Sequence, residues 1–247
     1  MIVNPLLKRR RPGLKWVLLI VAVVLATLAT VAIAFFMQPE LPLRDAMFDD
    51  HAAKRQQIML EQDSATGAGA IVLLGDSHLE LMDNDQRWPG SLNLGIRGDT
   101  SAAVLDRMDS YQSLATARVV IISLGANDIA QGYRINQTVA NVRDIVSRLP
   151  AQTPVLLTAI HAMDERVGLV GYNRNIRRWN EAYMEAFAQS DRIHLVASPH
   201  APENDADNLA IAMHIGDGIH LSQAGYDAWI SVLKPAVDSV IDARSTN

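Results

Sequence analysis

Five apolar runs of strand length, at 71–74, 91–94, 119–124, 155–160 and 193–196, alternate along the chain with longer stretches of helical periodicity. This pattern constrains the fold most, because strands that are apolar throughout must be covered on both faces, and helices crossing between parallel neighbours provide the cover. The helical stretches are 100–114, 137–149 and 172–189, the last with Ile176, Trp179, Tyr183 and Phe187 on one face. A final helix is expected with Ser222 as its N-cap and with Pro235 kinking or ending it. The expected fold class is therefore α/β, a parallel five-stranded sheet with five buried strands and helices on both faces. An earlier stretch, 44–62, sets Met47, Phe48, His51, Arg55, Ile58 and Met59 at helical spacing, and 64–69 reads as a linker. The domain proper is expected to start near Ala70, giving 70–247 as the main domain and 38–69 as a helix and linker that precede it.

Upstream of that helix the chain changes character. Lys8, Arg9, Arg10, Arg11 and Lys15 precede an uncharged apolar run, 16–37, and the first acidic residue is Glu40. A helix over 16–37 would reach about 33 Å, enough for a hydrocarbon core of roughly 30 Å, so the run is expected to be a transmembrane anchor. The basic tail 1–15 then stays in the cytoplasm and the remainder faces outward. A cleavable signal peptide is the alternative, since Ala32-Ile33-Ala34 suits a signal peptidase, but such apolar cores usually run to roughly 7–15 residues. Of the 22 Lys and Arg, five sit in the tail, leaving 17 against 27 Asp and Glu, so the outer portion is strongly acidic. Nucleic acid is thus not an expected partner, because binding it needs clustered cations. With no cysteine, disulfides are excluded.

Ligands of open parallel sheets bind beyond the carboxyl ends of the strands, and the unusual polar residues cluster there. Strand one ends in Gly75-Asp76-Ser77, strand two in Gly95-Ile96-Arg97-Gly98-Asp99-Thr100, strand three in Gly125-Ala126-Asn127-Asp128, and Asp217-Gly218-Ile219-His220 follows the last strand. A serine hydroxyl needs a base to become a nucleophile, and its attack on an ester needs donors for the oxyanion. His220, three residues after Asp217, supplies an imidazole whose tautomer a carboxylate can fix. Ser77, on a turn expected to open a helix at His78, has backbone N–H groups and a helix terminus beside it. Gly98 can bring a bare amide close to a substrate, and Asn127 offers a side-chain donor. Each motif also has a plainer reading: Asp76-Ser77 as a cap, the glycine loop as a tight turn with Asp99 or Thr100 capping the next helix, Asn127-Asp128 as an Asx-turn. Four such loops in order, each starting where a strand ends, favour a site.

These four blocks resemble those of the SGNH, or GDSL-type, esterase and lipase family, over roughly 70–233. The helix containing His51 is similar to the lead-in of its platelet-activating-factor acetylhydrolase-like branch. The resemblance implies a three-layer flavodoxin-like fold and neither metal nor other cofactor. It further implies Ser77 as nucleophile and oxyanion donor, Gly98 and Asn127 completing the oxyanion hole, His220 as base and Asp217 as its orienter. His78 departs from the family motif, which usually has an aliphatic residue there, and the segments 162–171 and 200–216 have no match. The expected function is a membrane-anchored, extracytoplasmic serine esterase of short-chain or acetyl carboxyl esters, whose substrate is a small molecule or a glycan or lipid ester. Two alternatives stand beside it: an acyltransferase or deacetylase on a cell-surface glycan with the same serine, and a metal-dependent hydrolase using His200, His214, Asp217 and His220. The oligomeric state is not legible.

Overall fold

The structure, a computed structural model, describes residues 42–200 and 207–245. The expected tail and membrane span lie outside these residues, and no helix among the described residues is long and apolar enough to cross a membrane. Helix α1, Pro42–Ala65, leads into the sheet. The compact unit that contains the sheet begins at Asp50 and takes in most of α1.

The strands are β1 Ile71–Gly75, β2 Leu92–Gly95, β3 Val119–Ser123, β4 Val155–Thr158 and β5 Ile193–Val196. All neighbours are parallel, in the order β2-β1-β3-β4-β5. Because side chains alternate across a strand, each continuous apolar run feeds two cores. Val72, Leu74, Val120, Ile122, Val155 and Leu157 pack on one face with α4 (Ser101–Arg107), α6 (Ile135–Arg148) and α7 (Tyr172–Phe187). Leu73, Val119, Ile121 and Leu156 pack on the other with α8 (Gln223–Ser245), where Trp229 and Leu233 are fully buried. The outcome is three layers. One expectation fails at the margin: β5 is an edge strand, and its central His194 and Leu195 are exposed.

Two helices depart from their expected form. Instead of one helix over 100–114, α4 stops at Arg107 and the chain continues in 3-10 turns, Met108–Ser110 and Gln112–Ala115. Asp63 of α1 accepts the amides of Gln112 at 2.8 Å and Ser113 at 3.0 Å, which stabilises that turn in place of a continuing helix. At the other end of the chain, Pro235 does not end α8, which runs on to Ser245. The missing backbone bond costs about 3 kcal/mol, and burial of Leu233, Val237 and Val240 offsets it.

Sheet register fixes where the site lies. Gly75 is level with Gly95 on one side and with Ser123 on the other, so the loops after β1, β2 and β3 leave the sheet side by side. β1 and β3 flank the point where the strand order reverses, the usual ligand crevice of such sheets.

Candidate active site

At the end of β1, Asp76 is the extended N-cap residue (φ −101°, ψ −157°) of α2, Ser77–Glu80. Its carboxylate accepts the His78 amide at 3.0 Å, while its carbonyl accepts the amides of Leu79 and Glu80. The turn lies directly on the end of β2: a Cβ at Gly95 would collide with the Glu80 nitrogen and the Asp76 carbonyl. Ser77 is the first residue of α2 and is buried. The helix entered at this point is only four residues long, so the expected helix-terminus field is that of a single turn. What the turn offers is the Ser77 amide, which has no hydrogen-bond partner among the described residues.

The loop after β2 places Gly98 at φ +88°, left-handed backbone that favours glycine. Its amide likewise has no partner among the described residues. The plainer reading of this loop is also realised, because Thr100 caps α4 by accepting the Ala103 amide at 3.3 Å. Asn127 lies in α5, Ala126–Ala130, and donates one amide hydrogen to the Asp99 carbonyl at 2.9 Å, which ties the third loop to the second and leaves its other hydrogen available. Asp128, its neighbour, is fully buried and structural: it accepts from the Ser101 amide (3.0 Å), the Ser101 hydroxyl (2.5 Å) and the Thr138 hydroxyl (2.9 Å).

His220 completes the group. Its Nε2 lies 3.0 Å from the Ser77 Oγ, and its Nδ1 lies 2.6 Å from Asp217 Oδ2. The partners assign the tautomer: Nδ1–H donates to the carboxylate, so Nε2 accepts from the serine hydroxyl. The Asp217 Oδ1 also takes the amides of Ile219 (3.0 Å) and His220 (2.9 Å). Burial pushes the Asp217 carboxyl up, but hydrogen bonds from the His220 ring and from those two amides outweigh it and hold the group below its ordinary value. The pair is only partly covered, with side-chain exposures of 22% for His220 and 38% for Asp217.

Several contacts around this group escaped the sequence reading, which named His214 only as a candidate metal ligand and Asp99 only as a candidate cap. His214 is paired antiparallel to Leu221 across the hairpin 214–221, and the Ile215 amide donates to the His220 carbonyl at 3.0 Å. The His214 Nδ1 accepts the amides of Gly216 (3.0 Å) and Gly218 (3.1 Å), so its Nε2 carries the proton and donates to Asp164 at 3.2 Å. Two hydrogen bonds from Arg166 to Asp164, at 2.6 and 2.9 Å, draw that carboxyl down to about 2 against the effect of burial. On the Ser77 side, buried Arg107 donates to the carbonyls of Gly75 (3.3 Å) and Leu94 (2.6 Å) and to the Asp99 carboxylate (2.7 Å). Burial nevertheless pushes Asp99 up to about 6, with Arg107 opposing. A charged residue on the inner face of α4 was the available signal.

His78 points inward. Its Nδ1 faces Asp76 at 3.3 Å and its Nε2 donates to the Ile219 carbonyl at 3.2 Å, so it bridges the Ser77 turn and the His220 loop. Burial disfavours the charged ring, but the hydrogen bond and charge of Asp76, with the Ile219 carbonyl and Asp217, raise its pKa overall. Behind it lies His161, ring to ring at 5.2 Å, whose pKa burial pushes far down. The alternative metal set does not assemble: His200 donates to the Gly225 carbonyl at 3.1 Å, His214 donates to Asp164, and His220 donates to Asp217. Among the described residues no His, Asp or Glu cluster has metal-ligand geometry.

A level rim of three strand ends, with a serine in contact with an imidazole that is in contact with a carboxylate, defines the class as a parallel α/β ester hydrolase. Residues 63–228 match the GDSL-like lipase/acylhydrolase family model, and the chain belongs to that family of carboxylic ester hydrolases. Among solved structures it is similar to a Streptococcus pneumonia protein provisionally described as a platelet activating factor, at 22% identity, 78% coverage of this chain, 96% of that one and a TM-score of 0.71. A GDSL-like lipase from Bacteroides thetaiotaomicron shares 21% identity over 74% of this chain and 97% of that one, with a TM-score of 0.65. An acetyl xylan esterase from Geobacillus stearothermophilus shares 15% identity over 67% and 94%, with a TM-score of 0.52. These likenesses show the fold. No curated protein matches the chain.

Proposed function

We propose that this chain is a serine esterase of short-chain or acetyl carboxyl esters in which Ser77 is the nucleophile, His220 the base and Asp217 its orienter. The observation that carries the reading is the unbroken contact series from the Ser77 hydroxyl through the His220 ring, at 3.0 Å, to the Asp217 carboxylate, at 2.6 Å. In the first half-reaction the Ser77 Oγ attacks the ester carbonyl carbon as its proton passes to the His220 Nε2. The amides of Ser77 and Gly98 and the side chain of Asn127 receive the oxyanion. Collapse of this intermediate expels the alcohol, which takes the proton back from His220 and leaves an acyl-serine. Water, deprotonated by His220, then releases the acid. Asp217, kept ionised, stabilises the imidazolium formed in each half.

The apolar run 16–37 behind its basic tail supports anchoring in a membrane, with the catalytic domain outside the cytoplasm. Ser77→Ala and His220→Ala should each abolish hydrolysis of p-nitrophenyl acetate, and substantial turnover in either contradicts the assignment. An ester panel that includes acetylated saccharides, suggested by the acetyl xylan esterase of the same fold, defines the substrate class.

A further inference from the structure

Helix α1 presents His51, Arg55, Met59 and Asp63 at intervals of four, one stripe along the helix. Only Met59 is apolar, and it is fully buried. Asp63 holds the 3-10 segment described above, whereas the first two residues converge on the loop that carries Gly98. His51 Nε2–H donates to the Glu80 carboxylate at 2.9 Å. Arg55 donates to the carbonyls of Asn93 at 3.1 Å and Gly95 at 3.2 Å, the last turn of chain before that loop. Glu80, the final residue of the nucleophile's own helix, in turn accepts the Arg97 amide. A carboxylate with only 11% of its side chain exposed is thus held between α1 and the peptide immediately before Gly98.

We propose that α1 is a positioning element for the oxyanion hole, with His51 acting through Glu80, and Arg55 through the Asn93 and Gly95 carbonyls, to set the direction of the Gly98 N–H. The physical argument concerns where freedom remains. A glycine at φ +88° has no side chain to fix its peptide, so its amide direction depends on the groups that hold its neighbours. Glu80 fixes the amide one residue earlier, and Arg55 fixes the carbonyl two residues before that. His51 limits the sweep of Glu80, which would otherwise be free to turn toward water. Because the oxyanion exists only along the reaction, a misdirected donor lowers kcat and leaves KM nearly unchanged. The inference rests on the reading of Ser77 as nucleophile and Gly98 as donor. His51 itself is a positioning residue.

The test uses the full chain in detergent, with kcat expressed per site titrated by a fluorophosphonate, so that loss of folded protein does not count as loss of rate. His51→Ala should lower kcat per titrated site by about tenfold, the scale of a slightly misplaced catalytic group, with KM within about twofold. His51→Gln, whose amide can donate to Glu80 from the same position as Nε2, should recover kcat to within about threefold of the parent. An unchanged kcat per site in His51→Ala, or a loss that His51→Gln does not recover, overturns the inference while leaving the Ser77 assignment intact. If instead Ser77→Ala keeps its activity in the same assay, the site reading itself fails, and this inference with it.

Discussion

The two halves of the proposed catalytic group are held by different means. Ser77, Gly98 and Asn127 stand on loops that leave three paired strands at one level, and buried Arg107 ties the ends of β1 and β2 to Asp99. His220 and Asp217 stand on a hairpin that belongs to no sheet and is latched, through His214 and Asp164, to another loop. Ser77, Gly98 and Asn127 therefore inherit the stiffness of the sheet core, whereas His220 depends on hydrogen bonds between loops. The buried carboxylates of the two halves also shift in opposite directions. Burial wins at Asp99 and raises it to about 6, whereas hydrogen bonds from Arg166 win at Asp164 and lower it to about 2.

If the halves act as one unit, their largest effects cannot add. Ser77→Ala and His220→Ala should each cost on the order of 10⁴-fold or more in kcat, and the double variant should be no worse than either alone. Rates for the three proteins on one chromogenic ester decide this, and additive losses would break the unit apart. Next in size, Asn127→Ala on the sheet-held side should lower kcat by about 10²- to 10³-fold, and an unchanged kcat would remove Asn127 from the hole.

Smaller still, and confined to the other half, His214→Ala should unlatch the hairpin. It leaves the amides of Gly216 and Gly218 without their partner and removes one of the donors to the Asp164 carboxylate, a loss of about 1–3 kcal/mol. Amide exchange should quicken at 214–220 and stay slow in β1, β2 and β3; equal quickening in both places would erase the distinction. The smallest effect is on pH dependence. Because folding raises the Asp99 pKa, its contribution is present at low pH and lost as pH rises through about 6, so acidifying from 7 to 5 should slightly stabilise the sheet-held half. Asp164, depressed, contributes above the ordinary carboxylate range and loses its effect only as pH falls through about 2. Carboxyl ¹³C titration should therefore find Asp99 changing near 6 and Asp164 not changing until far lower, and coincident midpoints would contradict the contrast.

The same contrast explains what the sequence disclosed. Strands buried on both faces announce themselves as continuous apolar runs, and residues such as Ser77, Asn127 and His220 stand out as polar groups just past them. The grip of α1 left no such trace, because His51, Arg55 and Asp63 make polar contacts and contribute nothing to an apolar period. Ile58, which shares the apparent helical spacing, is 48% exposed. Asp63 breaks the helix after Arg107 from 50 residues away, and His214 finds Asp164 across the same separation. Pairs so distant in the chain are set by the completed fold. Pro235 is the converse case: local preference predicted a kink or an end, but packing against the sheet carries α8 through it.

Covalent labelling is the most direct test of the central claim that the two halves meet as one catalytic group. Treated with a fluorophosphonate and digested, the protein should yield a single phosphonylated peptide modified at Ser77, and the labelling rate should collapse in His220→Ala. Modification at another residue, or equally fast labelling of Ser77 without His220, would contradict the account.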